Sequence, residues 1–160
     1  DLRGADLQRA YLQGADLQRA DLQGAGLQGA IGLNEYLCTP LLMLYDQPGP
    51  IRAYKVVTHK WQGPYHPNIT YEIGKTYEVA DANTDANVQC GTGINLATLD
   101  WCMKEWKEGW HILIVEFTAA DIAAIPKNTD GKFRVKRCTV VGEKDLTEIG
   151  LIPKTELTAS

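Results

Sequence analysis

Apolar positions at the start of the chain recur every five residues. Leu2, Leu7, Leu12, Leu17, Leu22 and Leu27 follow at that interval, and Ala5, Ala10, Ala15, Ala20, Ala25 and Ala30 stand two residues ahead of each expected centre. Asp, Gln, Arg and Gly fill most positions between them. An amphipathic helix repeats at about 3.6 residues and a half-buried strand at about 2, so neither produces this spacing. A fixed period marks a repeat architecture, in which each unit buries its apolar residues against its neighbours. A polar helix over the same residues is further disfavoured by Gly4, Gly14, Gly24 and Gly29, each costing a helix about 1 kcal/mol.

The period slips at Ala30-Ile-Gly-Leu33, where the next leucine arrives one residue late. Glu35 to Leu44 is apolar (Tyr36, Leu37, Leu41, Leu42, Met43, Leu44) and is expected to cover the end of the repeats. Asp46-Gln-Pro-Gly-Pro50 is a turn cluster and marks a boundary. Beyond it the pattern becomes mixed. Arg52 to Thr58 alternates as a strand, and Gln62 to Asn68 is a loop with two prolines. Thr70 to Val79 holds two short strand-like runs about Gly74-Lys75, with Tyr71, Ile73, Tyr77 and Val79 inward. Ala97 to Trp106 reads as a helix capped by Thr98, with Leu99, Cys102, Met103 and Trp106 on one face and Gly109 ending it. Trp110 to Phe117 is a strand covered on both faces, and Thr118 to Asp121 is a capping box opening a short helix that stops at Pro126. After the turn Asn128 to Gly131, Lys132 to Val141 is the last strand. This order of strands and helices predicts an α+β domain.

The run of A-(D/N)-L-x-x units resembles the pentapeptide-repeat family. That resemblance implies a β-solenoid, a right-handed quadrilateral β-helix in which four units complete a coil, with the named Leu and Ala residues as the structural repeat. Residues 1–34 would form this β-helix, 35–50 a cap and linker, and 51–160 the α+β domain. Six units make one and a half coils, too few to bury a continuous core alone. The run also begins inside a unit, so further coils upstream, or another chain or the second domain over the open end, are expected. The second half, with Y-E-I-G-K-T-Y, C-G-T-G-I-N-L-A-T and D-G-K-F-R-V-K-R, is similar to a small domain of phage and prophage proteins. Relatives of that domain often carry His where this chain has Asn95.

The net charge of −4 divides evenly, five acids and three arginines up to Glu35, then fifteen acids and thirteen bases. Bulk charge therefore names no partner. Cys38, Cys90, Cys102 and Cys138 are widely spaced without a C-x-x-C pair, which argues against a zinc ribbon and fits buried thiols in a reducing compartment. There is no signal-peptide pattern and no apolar run of 18 residues, so neither secretion nor a membrane span is expected. A cytoplasmic location is expected, or a virion for a phage-encoded chain.

Four groups of residues bear candidate chemistry. Asp81, Asn83, Asp85 and Asn87 have the alternation of a calcium loop but lack its Gly (Ala86) and its bidentate Glu (Thr92). Lys132, Arg134 and Lys136 share one face of a strand and, with Arg137, form either a solvated or guarded edge or a phosphate-contacting patch. His59, His66 and His111 are scattered, the last a neutral imidazole in an apolar strand. An enzyme reading would bring His59 or a tyrosine together with Glu72, Glu78 or Glu116 in a transferase-like cleft. Cys90-Gly-Thr-Gly93 matches no phosphate loop and reads as a backbone turn. Of these readings the favoured one is a non-enzymatic structural or interaction protein without cofactor or metal. Its expected partners are proteins: other copies of the chain, or phage structural proteins in a virion or adaptor. Neither membrane nor nucleic acid is expected. The alternatives are a topoisomerase-protecting DNA mimic, disfavoured because Arg3, Arg9 and Arg19 interrupt Asp1, Asp6, Asp16 and Asp21, and the transferase-like enzyme.

Overall fold

The computed structural model describes residues 1–17, 20, 22 and 24–154. In the repeats, each unit ends in a tight turn, with the amides of Ala5, Ala10, Ala15, Ala20, Ala25 and Ala30 donating to the leucine carbonyls three residues earlier at 2.8–3.0 Å. The third residue of the turn has a left-handed backbone, at φ 66° for Gly4, 78° for Gly14, 70° for Gly24 and 69° for Gly29. Glycine suits that position because it has no Cβ to clash, as in a type II turn. Arg9 adopts the same conformation, φ 59°. Arg19 and Asp21 lie outside the described residues.

Successive coils pair in parallel with an offset of twenty residues, Asp6 opposite Gly26 and Tyr11 opposite Ile31. The Leu7 amide donates to Gly26 O at 2.9 Å, Gly26 to Ala5 O at 2.9 Å, Ile31 to Ala10 O at 2.8 Å and Leu12 to Ile31 O at 2.7 Å. Four units thus make one turn, and backbone groups of one coil are satisfied by the next. Leu22, Ala25 and Cys38 are buried together, with Leu2, Leu7, Leu17, Ala20 and Leu33 packed against them. Ala5, Ala10, Leu12, Ala15, Leu27 and Ala30 are half-buried, while Arg3, Gln8, Gln13 and Gln28 are exposed.

This β-helix-like coil is the smaller part of the fold. The larger is a seven-stranded antiparallel sheet formed by β1 (Ile51–Val57), β2 (Thr76–Glu78), β3 (Ile94–Ala97), β4 (His111–Phe117), β5 (Ile122–Ala124), β6 (Lys132–Val135) and β7 (Arg137–Glu143), in the order β2-β7-β4-β1-β3-β6-β5. The fold is therefore dominated by one sheet rather than by a solenoid. Helices are few: α1 (Glu35–Cys38), α2 (Leu99–Glu105) and two 3₁₀ turns, Pro40–Asp46 and Ala119–Asp121.

β1 and β4 pair over their full lengths, from Ile51 opposite Phe117 to Val57 opposite His111. On one face Val57, Leu113, Val115, Phe133, Val135 and Val140 pack with Tyr71 and with Leu42 from the 3₁₀ turn. On the other, Val56, Ala97 and Ile112 meet Trp101 and Cys102 of α2 and Leu146. Leu42 ties residues 40–46 to the sheet, while Cys38 ties α1 to the repeats, so the segment between the two halves packs on both. The seam itself is polar: Lys127 Nζ lies 3.1 Å from Glu35 Oε1, and Asn128 Nδ2 donates to Ala25 O at 3.4 Å.

Several expected elements differ. The stretch Lys132 to Val141 is two strands on opposite sides of the sheet, because the chain leaves β3 at Lys136 and crosses to pair β7 with β4. The capping box at Thr118 and Asp121 is present, but it opens a single 3₁₀ turn followed by β5. The two strand-like runs about Gly74-Lys75 form neither a hairpin nor one bulged strand; only Thr76–Glu78 is a strand, paired with β7. Ile73 is exposed, not inward. The helix begins at Leu99, after its N-cap Thr98, because Ala97 belongs to β3; Trp101 and Cys102 are its buried residues, and Leu99, Met103 and Trp106 pack partly buried against the same cluster.

Candidate ligand-binding cleft

β1 meets β3 at a single residue pair, Tyr54 opposite Ala97, so the two strands splay apart beyond it. The gap opens into a cavity of about 390 Å³. That is the size of a small-molecule site. Tyr54, Lys55 and Val56 of β1, Asn95, Leu96 and Ala97 of β3, Lys132 of β6 and Trp101 of α2 line it, and the wall also includes the loop residues Tyr65, His66, Tyr71, Cys90 and one carboxylate, Asp81.

Lys55 stands in phase with Ala53 and Val57 and so points inward, where it is buried. Its amine donates to Asn95 O at 2.9 Å, in the gap where a ladder hydrogen bond would otherwise lie, and sits 4.9 Å from the centre of the Tyr71 ring. Burial pushes its pKa down from an ordinary 10.5 to about 8; the thiols Cys138 and Cys102 raise it, and Lys132 lowers it further. No carboxylate is among these influences. Burial likewise raises the Tyr71 hydroxyl, and lifts the Cys102 thiol to about 12 and the Cys138 thiol to about 11.

Lys132 is the second cation of the cleft. Its amine lies 2.7 Å from Cys90 Sγ and 5.7 Å from the centre of the Trp101 ring. Trp101 Nε1 donates to Asp130 Oδ1 at 2.8 Å, which fixes the ring beside the start of β6. Asn95 Oδ1 is a buried acceptor that meets no donor among the described residues. At the rim, Tyr65 OH donates to Glu105 Oε2 at 2.9 Å, and this bond, together with burial, raises the tyrosine.

The basic face of β6 is not a solvated edge. β6 lies between β3 and β5, and Arg134 is fully buried while Lys132 is nearly so; only Lys136 and Arg137 are exposed. The Arg134 guanidinium fills the loop whose alternation suggested calcium. It donates to Asn83 O (3.0 Å), Asp85 O (2.9 Å), Val88 O (2.7 Å), Gln89 O (3.2 Å) and Asn83 Oδ1 (3.4 Å). Those oxygens serve an internal cation. Among the described residues no three His, Cys, Asp or Glu side chains gather as a metal site.

The residues of the enzyme reading are not brought together. His59 is exposed after β1, Glu72 pairs with Lys75 at 2.7 Å, Glu116 accepts from Arg52 at 2.9 Å, and Glu78 lies on the edge strand β2. None of them lines the cleft. His111 Nδ1 is 2.7 Å from Glu143 Oε1, and its ring stacks on Trp61 at 4.6 Å. Lys55 was missed, although a lysine in the inward phase of an apolar strand is the signal that could have found it.

Residues 1–31 match the family described as pentapeptide repeats (8 copies). No curated protein and no solved structure matches the chain. The family match ends before the sheet, and the phage setting read from the second half has no support in these comparisons. No helix among the described residues is long and apolar enough to cross a membrane.

Proposed function

We propose that this chain is a non-enzymatic interaction protein, in which the repeat coil docks a protein partner and the cleft between β1 and β3 binds a small anion that carries a flat ring, the chemistry of a nucleotide. The observation that carries the second part is Lys55, a buried ammonium whose one hydrogen-bond acceptor among the described residues is a carbonyl. A buried charge without a counter-charge is costly, and an anion in the cavity would supply one. Lys132 lines the same cavity and lowers the Lys55 amine further. Tyr54, Tyr65 and Trp101 offer ring faces, and Asn95 Oδ1 would accept from a ring N–H. For the coil, the support is an exposed apolar pair: Tyr11 and Ile31, opposite each other on adjacent coils, are 70% and 59% exposed.

DNA mimicry is less well served. The acids of the repeats are interleaved with arginines, and Arg3 holds Asp1 at 2.6 Å.

The cleft is tested by titrating the full chain with inorganic pyrophosphate and with a nucleoside diphosphate while following tryptophan fluorescence, for which Trp101 is the reporter. Saturable binding that is tighter for the nucleotide and at least tenfold weaker in Lys55→Met supports the reading. No saturable change for either anion at millimolar concentration contradicts it.

A further inference from the structure

Cys90 is exposed at the mouth of the cleft, yet its sulfur lies 2.7 Å from the buried Lys132 amine. The approach is built by the fold. Arg134, two residues along β6 from Lys132 and on the same face, grips Val88 O and Gln89 O and so holds the chain leading into Cys90. Gly91 lets that loop lie flat, since a Cβ there would meet Asn83 Cβ at 2.8 Å and the Arg134 guanidinium at 3.2 Å. On the other side, Gly131 at φ 137° packs against Thr98 and Trp101 and fixes the start of β6. Both partners are thus held from neighbouring residues before any reaction.

We propose that Cys90 and Lys132 form an oxidation-driven cross-link, a sulfenamide, when the protein meets hydrogen peroxide or an organic hydroperoxide. The Cys90 sulfur attacks the peroxide, the O–O bond breaks, and the products are Cys90 sulfenic acid and water or the alcohol. Once the Lys132 ammonium has given up a proton to solvent, the nitrogen lone pair attacks that sulfur. The S–O bond breaks, its oxygen leaves as water with the proton lost from nitrogen, and an S–N bond remains. Sulfur is oxidised by two electrons and the peroxide is reduced by two; a thiol reductant reverses the change. The other three thiols, Cys38, Cys102 and Cys138, are buried and have no lysine amine at comparable hydrogen-bonding distance among the described contacts. The bond removes the positive charge of Lys132 and ties residues 83–90 to β6 across the mouth of the cleft. Loss of anion binding on oxidation rests on the function proposed above, whereas formation of the bond does not.

The experiment is peroxide treatment of the full chain without added ligand, followed by intact mass and tryptic mapping. The expected product is lighter by two hydrogens, resists the sulfenic-acid reagent dimedone, is not cut after Lys132, and carries the peptide of Cys90 joined to that of Lys132. Thiol treatment restores the original map. Lys132→Arg keeps the charge but offers no amine of this kind, and is expected to give the dimedone adduct; Cys90→Ser, at an exposed position, is expected to give neither. A dimedone adduct or a sulfinic acid on wild-type Cys90, formed as fast as in Lys132→Arg, would overturn the proposal. So would a loss of two hydrogens mapping to a disulfide.

Discussion

Replacing Lys55 by Met keeps the side-chain length and removes the charge. In the native fold the amine is buried with one carbonyl partner, and its pKa falls from 10.5 to about 8. Keeping it charged therefore opposes folding by about 3 kcal/mol at pH 7. Because the folded value lies below the unfolded one, the unfolded chain binds more protons between about pH 8 and pH 10.5. The destabilisation is thus complete below about pH 8 and fades as the pH rises, to about 1 kcal/mol at pH 10. Against this, Met loses the bond to Asn95 O, worth about 1 kcal/mol at either pH. Lys55→Met should consequently be more stable than the wild type by about 2 kcal/mol at pH 7 and equal to it near pH 10. Urea unfolding of both proteins at the two pH values measures the difference; without Lys55 the Cys102 and Cys138 thiols rise further, which narrows the gap at pH 10 in the same direction. A variant less stable at pH 7, or a gap that does not change with pH, would show that Lys55 is not a buried ammonium that opposes folding.

Other perturbations probe the remaining parts. Leu22→Asp places a charge at the most buried position of the coil, 1% exposed, and should cost about 3 kcal/mol or more, with loss of order in residues 1–38 read by amide exchange. Arg134→Met strands the carbonyls of residues 83–89 and should cost about 3 kcal/mol, with protease cutting appearing in that loop and not elsewhere. A fragment of residues 39–154 retains Leu42 in the sheet core, and one of 51–154 does not; both should fold, the shorter less stable by about 2 kcal/mol in urea. A shorter fragment of equal stability would show that Leu42 is dispensable.

The five-residue period was legible because one unit makes one turn and the turn needs a left-handed third residue, so Gly4, Gly14, Gly24 and Gly29 recur with the leucines. β4 was legible as a continuous apolar run, and the capping box of Thr118 and Asp121 from its spacing. β3 and β5 were not, since runs of four and three residues are too short to show a period. Nothing local marks Lys136 as the point where one apparent strand becomes two on opposite sides of the sheet. The cleft is likewise tertiary. Lys55, Asn95 and Lys132 come from three strands and meet only because β1 and β3 part after one pair. Arg134 carried a misleading signal, for a basic alternating strand ordinarily faces water. Here the oxygen-rich loop 83–89 folds over it as an internal solvation shell.

If the cleft holds a cation awaiting an anion, the lysine carbon resonances of the full chain report it directly. Following the Lys55 Cε signal by NMR through a pH titration, assigned with Lys55→Met, should give a midpoint about 8 for the free protein. With saturating nucleoside diphosphate the midpoint should move upward, as the bound anion favours the charged amine. A midpoint near the ordinary value of about 10.4, unmoved by pyrophosphate or nucleotide, would contradict the account.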